Sequence, residues 1–215
     1  MNLPQRHKEE LLKEKEDIEK CGLSSFKGGF VFVNENYRDI IIEDIKVHNF
    51  TSMYPHIMIL LHDEGLISIP EEVSKLKWFF ENRYELKRSE YTHWKTLVNS
   101  LYGKFAQNSQ SAIVMGLISK YQQLIYSELL ENNPENILYV DTDMILSVNP
   151  INIVDCPLPY STEVLTLGII KEKKRYIVHD GEELKIKGYH SKKHEEVKRE
   201  VQSRIRQHQL EKLLI

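Results

Sequence analysis

The chain has 215 residues, of which 41% are apolar and 28% charged, and its net charge is −3. This suits one sizeable core, or a core with an inserted lobe, in a globular protein. It excludes a span of the roughly 20 apolar residues that crosses a bilayer, and the polar start MNLPQRHKEELLKEKED lacks a secretory signal, so an intracellular setting is expected.

Residues 1 to about 20 read as a charged helix, anchored only by Leu11, Leu12 and Ile18. Gly28 and Gly29 break the chain. The stretch FVFVNENYRDIIIEDIKVHNF follows, rich in Val, Ile and Phe, and predicts two or three strands around an Asn-Glu-Asn turn. Thr51 or Ser52 is placed to cap a short helix over 54–62, with Pro55 in its first turn. Pro70-Glu71-Glu72 opens a helix that the pattern carries to about Ser89. A second runs from about Tyr91 to Phe105, so the pair forms a helical hairpin projecting from the sheet. The apolar spacing of MGLISKYQQLIYSELLE predicts a further helix over 115–131.

ILYV and MILSV then flank Asp141-Thr142-Asp143, a hairpin signal. LGIIKEKKRYIV and ELKIKGY flank Asp180-Gly181, which fits a two-residue turn and predicts a second hairpin. From Ser191 the chain reads as a charged helix. The class is α+β: an antiparallel sheet with helices on one face and a helical-hairpin insertion. Cys21 and Cys156 have no metal-site spacing and read as thiols. Residues 171–206 hold 12 Lys+Arg against 7 Asp+Glu, a local balance of +5. Such a stretch suits a phosphate backbone, or equally a solvated helix face.

Three constellations carry chemistry. Asp141 and Asp143 put two carboxylates at a hairpin tip, where like charges repel and raise each other's pKa. A divalent cation with oxygen ligands, Mg²⁺ foremost, removes that cost; a plain polar turn is the other reading. Lys95, Asn99 and Tyr102 form one helical stripe able to meet a phosphate and a base, or the outer face of an ordinary amphipathic helix. In Asn49-Phe50-Thr51-Ser52-Met53-Tyr54-Pro55 a strand turns into a helix, and exposed N–H groups there suit a triphosphate.

In order and wording these resemble motifs A, B and C of the family B DNA polymerases, D-x-x-S-L-Y-P, K-x-x-x-N-S-x-Y-G and Y-x-D-T-D. Phe26-Lys27-Gly28-Gly29 resembles the Y-x-G-G element that touches template. Lys174-Arg175-Tyr176, followed by Lys187-Gly188, resembles the K-x-Y element that grips the primer end. The five elements span about 26–190, and the wording leans to the protein-primed viral and linear-plasmid branch.

The resemblance implies template-directed DNA synthesis with two Mg²⁺ ions, Mn²⁺ being a substitute. Asp143 would bind metal with Asp141 in support, and Asn49 and the Phe50 carbonyl would complete the site. Backbone at Ser52 and Met53 would hold the triphosphate, and Tyr54 would lie under the sugar. Lys95 would contact phosphates, with Asn99 and Tyr102 beside the nascent pair. Phe26, Gly28, Gly29, Lys174, Arg175, Tyr176 and Lys187 would contact DNA. The implied division is a helical remnant at 1–25, palm at 26–70 and 113–190, fingers at 71–112, and the start of a truncated thumb at 191–215. Primer–template DNA and dNTPs are the implied partners, with a complementary polymerase subunit or terminal protein as a further one. A cytoplasmic, virus- or plasmid-associated setting goes with this.

Asn49 departs from the pattern, which has Asp there. A missing charge between two divalent ions is worth several kcal/mol at an effective dielectric of about 20, or roughly a thousandfold or more in rate. Glu43, Asp44 and Asp63 are placed wrongly to replace it. About 25 residues lie on either side of the matched elements, too few for an exonuclease or thumb domain, and the stretch from Asn49 to Lys95 leaves no room for a priming insertion. The alternative is a catalytically inactive derivative that serves as a DNA-binding or assembly subunit.

Overall fold

The computed structural model describes residues 2–21, 29–106, 112–153 and 156–213, without the side chains of 99, 102–104 and 106. The chain divides into two compact units, residues 1–30, 50–131 and 153–159 in the first and 31–49, 132–152 and 160–215 in the second.

The first unit is helical: α1 (Gln5–Cys21), α2 (Met53–Asp63), α3 (Pro70–Asn82), α4 (Arg88–Ala106) and α5 (Ala112–Asn132). α5 buries residues around most of its circumference, among them Leu117, Ile118, Tyr121, Ile125 and Tyr126. It is the central helix of this unit, as all-round apolar character requires. α1 buries His7, Leu11 and Ile18, while Leu12 stays 44% exposed. The third anchor is therefore His7, whose Nε2 lies 3.0 Å from Glu128. α3 stops seven residues before the point the pattern suggests. No Gly or Pro breaks it. Instead the Asn82 amide donates to the Trp78 carbonyl at 2.8 Å, and Glu90 accepts from the Lys87 N–H at 3.1 Å to open α4. Phe79 joins the two helices through Tyr91 and Trp94.

The second unit is a seven-stranded antiparallel sheet in the order β1-β3-β4-β2-β5-β6-β7. The strands are β1 (Val31–Val33), β2 (Ile42–Phe50), β3 (Ile137–Asp141), β4 (Met144–Ser147), β5 (Tyr160–Glu172), β6 (Arg175–His179) and β7 (Leu184–Lys187). With the helices, this is the α+β class. Alternate residues of β5 and β6 serve two cores. Ile169 and Ile177 pack with Val197 and Val201 of α6 (His194–Leu213). Ile170 and Val178 join Ile45, Leu138 and Leu146 in the other. Asp39 pairs with Lys171 and Arg204, and Glu43 with His208 and Lys212, which ties α6 to the sheet.

The stretch from Leu167 to Val178 is two strands rather than one arm. Lys173-Lys174 makes a two-residue turn between Glu172 and Arg175, with Lys174 at φ +66°. A lysine in left-handed backbone carries no turn signal in the sequence.

His48 fixes the register at the middle of the sheet. It is 1% exposed, and burial lowers its pKa. Its Nδ1 lies 3.0 Å from Thr162 Oγ1 on β5, and its Nε2 3.1 Å from Ser147 Oγ on β4. A slip by one residue would turn this buried ring to the other face and break both of its hydrogen bonds.

Candidate active site

The β3–β4 hairpin closes through only Thr142 and Asp143, because Asp141 already pairs with Met144. Thr142 sits at φ +58°. A β-branched residue there is costly, on the order of 1–3 kcal/mol, and such outliers gather at functional sites. Met144 also pairs with Asn49 on β2. Asp141, Met144 and Asn49 thus stand in one row across three strands, pointing to the same face, with Asp141 and Asn49 roughly 10 Å apart at Cα.

Asp141 is the hub. Tyr139 O–H donates to its Oδ2 at 3.3 Å, Thr142 O–H to its Oδ1 at 3.0 Å, and Lys174 forms an ion pair with Oδ1. The Lys174 N–H donates to the Tyr139 hydroxyl at 2.9 Å, and the Tyr139 and Tyr176 rings lie 5.3 Å apart. Three strands separate β3 from β6 in the sheet order, so the sheet curls to bring these residues together. Asp143 lies at the tip, accessible to solvent. Partial desolvation of its carboxyl, with the charge of Asp141, pushes its pKa up. Burial and then the charge of Asp141 push Tyr139 up as well; Tyr176 responds to burial and to both carboxylates.

Gly188 clamps the Lys173-Lys174 turn from behind. It has φ +78°, and a Cβ on it would fall 1.8 Å from the Lys174 carbonyl oxygen. Gly188→Ala should therefore cost about 2 kcal/mol or more in urea denaturation; a midpoint equal to wild type would show that the turn moves aside freely. Lys187 pairs across from Tyr176. Arg175 bonds Glu172 at 2.5 Å and lies 5.7 Å from the Tyr189 ring.

Of the residues singled out in the sequence, Asn49, Asp141, Asp143, Lys174, Arg175, Tyr176 and Lys187 lie in the second unit. Gly29, Phe50, Ser52, Met53, Tyr54 and Lys95 lie in the first. Ser52 occupies the N-cap position of α2 but makes no side-chain cap; it adopts left-handed backbone at φ 47°, so the turn is made by conformation instead. Met53 is buried, its sulfur 3.7 Å from Gln122 Nε2 and Tyr126 Oη. Lys95 is exposed, with its ammonium 5.9 Å from the Tyr91 ring centre. Asn99 and Tyr102 lie on α4, and Phe26 and Gly28 lie outside the described residues.

Sequence reasoning missed Glu163. On β5, its Oε1 lies 3.5 Å from the Asn49 amide nitrogen. The two positions are 114 residues apart and nothing local links them. Among the described residues no three His, Cys, Asp or Glu side chains converge as a metal cluster. The donor set is two carboxylates and an amide, all oxygen, with Glu163 beside the amide, and it suits a hard divalent cation.

No family model matches the chain, and no curated protein matches it. Solved structures do. Phi29 DNA polymerase complexed with single-stranded DNA superposes with a TM-score of 0.61 at 14% identity, covering 88% of this chain and 61% of that one. The same polymerase with primer–template DNA and incoming nucleotides gives 0.57, again at 14% identity and with the same two shares. The family B DNA polymerase of the hyperthermophilic archaeon Pyrobaculum calidifontis gives 0.54 at 18% identity, covering 78% of this chain and 29% of that one. The chain thus spans less than two thirds of each of these polymerases. Over that span, its fold is that of the family B DNA polymerases.

Proposed function

We propose that the chain is a core for template-directed DNA synthesis, with Asp141 and Asp143 as its metal-binding carboxylates. The observation that carries this reading is the row Asp141–Met144–Asn49 beside the carboxylate tip, on a fold shared with DNA polymerases. In the reaction the primer 3′-oxygen bonds to the α-phosphorus of a dNTP, the bond to the β-phosphate oxygen breaks, and pyrophosphate leaves. Mg²⁺ or Mn²⁺ bound at the site would acidify the 3′-hydroxyl and neutralise the leaving group.

Within the protein, Asp141 and Asp143 hold negative charge at the tip, and Asn49 offers only a neutral carbonyl. Glu163 supplies the nearby charge that Asn49 lacks. Phe50 contributes its carbonyl, Ser52 and Met53 their backbone to the triphosphate, and Tyr54 its ring to the sugar. Lys95, Asn99 and Tyr102 contact the nucleotide. Phe26, Gly28 and Gly29 meet the template, and Lys174, Arg175, Tyr176 and Lys187 the primer strand. Palm at 26–70 and 113–190 with fingers at 71–112 remains the division that goes with these roles. Among the described residues no helix is long and apolar enough to cross a membrane.

A second reading, a DNA-binding or assembly subunit without catalysis, goes with the neutral residue at 49. Primer extension by the purified chain with Mg²⁺ or Mn²⁺ separates the two. Slow extension is expected, at least about tenfold slower in Glu163→Gln. DNA binding with no nucleotide added under either metal leaves only the second reading.

A further inference from the structure

We infer that Lys174 makes metal binding and DNA binding interdependent: its ammonium is the counter-ion of Asp141 until a divalent cation takes its place, and the displaced ammonium then binds a backbone phosphate. The inference rests on the DNA-synthesis reading and adds to it an order of events. Two carboxylates stand at the tip, and Lys174 supplies an ammonium to one of them. Its Nζ also lies 3.3 Å from Thr142 Oγ1.

The root of the side chain is fixed. The Lys174 N–H is held by the Tyr139 hydroxyl at 2.9 Å, and its carbonyl abuts Gly188. The side chain itself is 56% exposed, so the ammonium can swing into solvent while the turn stays in place. Asp141 and a DNA phosphate therefore compete for one cation, and a divalent ion at Asp141 ends the competition. Linkage makes the effect reciprocal: a metal that strengthens DNA binding is itself bound more tightly when DNA is present.

The test is a double-mutant cycle of Asp141→Asn and Lys174→Met. Fluorescence anisotropy with a primer–template duplex is measured over a range of KCl, in chelator, so that metal does not enter. Freed of its partner, Lys174 should reach a phosphate. Asp141→Asn should then tighten DNA binding about fivefold or more in the Lys174 background and steepen the salt slope by about one. In the Lys174→Met background it should change affinity less than about twofold. Calorimetry without DNA is the second measurement. Lys174→Met should bind Mg²⁺ at least about threefold tighter, because no ammonium competes, and Lys174→Arg should return to the wild-type value. Equal effects of Asp141→Asn in both backgrounds, or an unchanged Mg²⁺ affinity in Lys174→Met, overturn the inference while leaving DNA binding intact. A protein that binds no duplex in any form overturns the DNA-synthesis reading with it.

Discussion

An Asn49→Asp protein is expected to extend a primer with Mg²⁺ at least about tenfold faster than wild type, a gain of about 1.4 kcal/mol or more in transition-state stabilisation. Asn49 lies two strands from Asp141 in the row that Met144 completes. The substitution changes one atom and one charge, so the packing tolerates it. The added charge falls where the developing charge of the reaction would be offset by divalent cations. Glu163 gives the same variant a second signature. Its carboxylate lies 3.5 Å from the amide nitrogen that the substitution replaces with oxygen, so two like charges meet when no cation is present. The melting temperature should fall in chelator and rise with added Mg²⁺ by more than wild type does. Mn²⁺ should narrow the rate difference between the two proteins. If the Asn49→Asp variant folds, binds primer–template and still adds no nucleotide, the missing charge is not what limits the chain.

Asp143→Asn should remove extension altogether, a loss of about a hundredfold or more, and weaken Mg²⁺ binding. Asp141→Asn should do less, because Asp141 is engaged by Tyr139, Thr142 and Lys174. Folding is not at risk in the Asp143 variant. The carboxyl is set against the charge of Asp141, so an amide there relieves repulsion, and the metal-free melting temperature should hold or rise. Lost activity with retained stability therefore reports on the site itself. Calorimetry showing unchanged Mg²⁺ affinity in Asp143→Asn would remove Asp143 from the metal site.

Local pattern alone determined a good deal of this protein. The apolar spacing of 115–131 marks the central helix α5, since a helix buried all round needs apolar residues on every side. The β3–β4 hairpin with its carboxylate tip and the strand-to-helix passage at Asn49–Tyr54 are each written within a dozen residues, and so is the β6–β7 hairpin, although His179 pairs with Leu184 and its loop runs over four residues in place of a two-residue Asp-Gly turn. Such features depend on neighbours in sequence, where periodicity and turn chemistry act. Tertiary structure decided the rest. The end of α3 and the start of α4 depend on the hydrogen bond that Asn82 donates and the one that Glu90 accepts, and the Lys173-Lys174 turn on backbone that only an abutting glycine accommodates. Glu163 meets Asn49, and Lys174 meets Asp141 across 33 positions of chain, only because β5 settles beside β2 and the sheet curls. Alternation within a strand says which residues share a face. It does not say which strand lies alongside or at what register, because those are set by contacts such as those of the buried His48 with Thr162 and Ser147, made between segments distant in sequence.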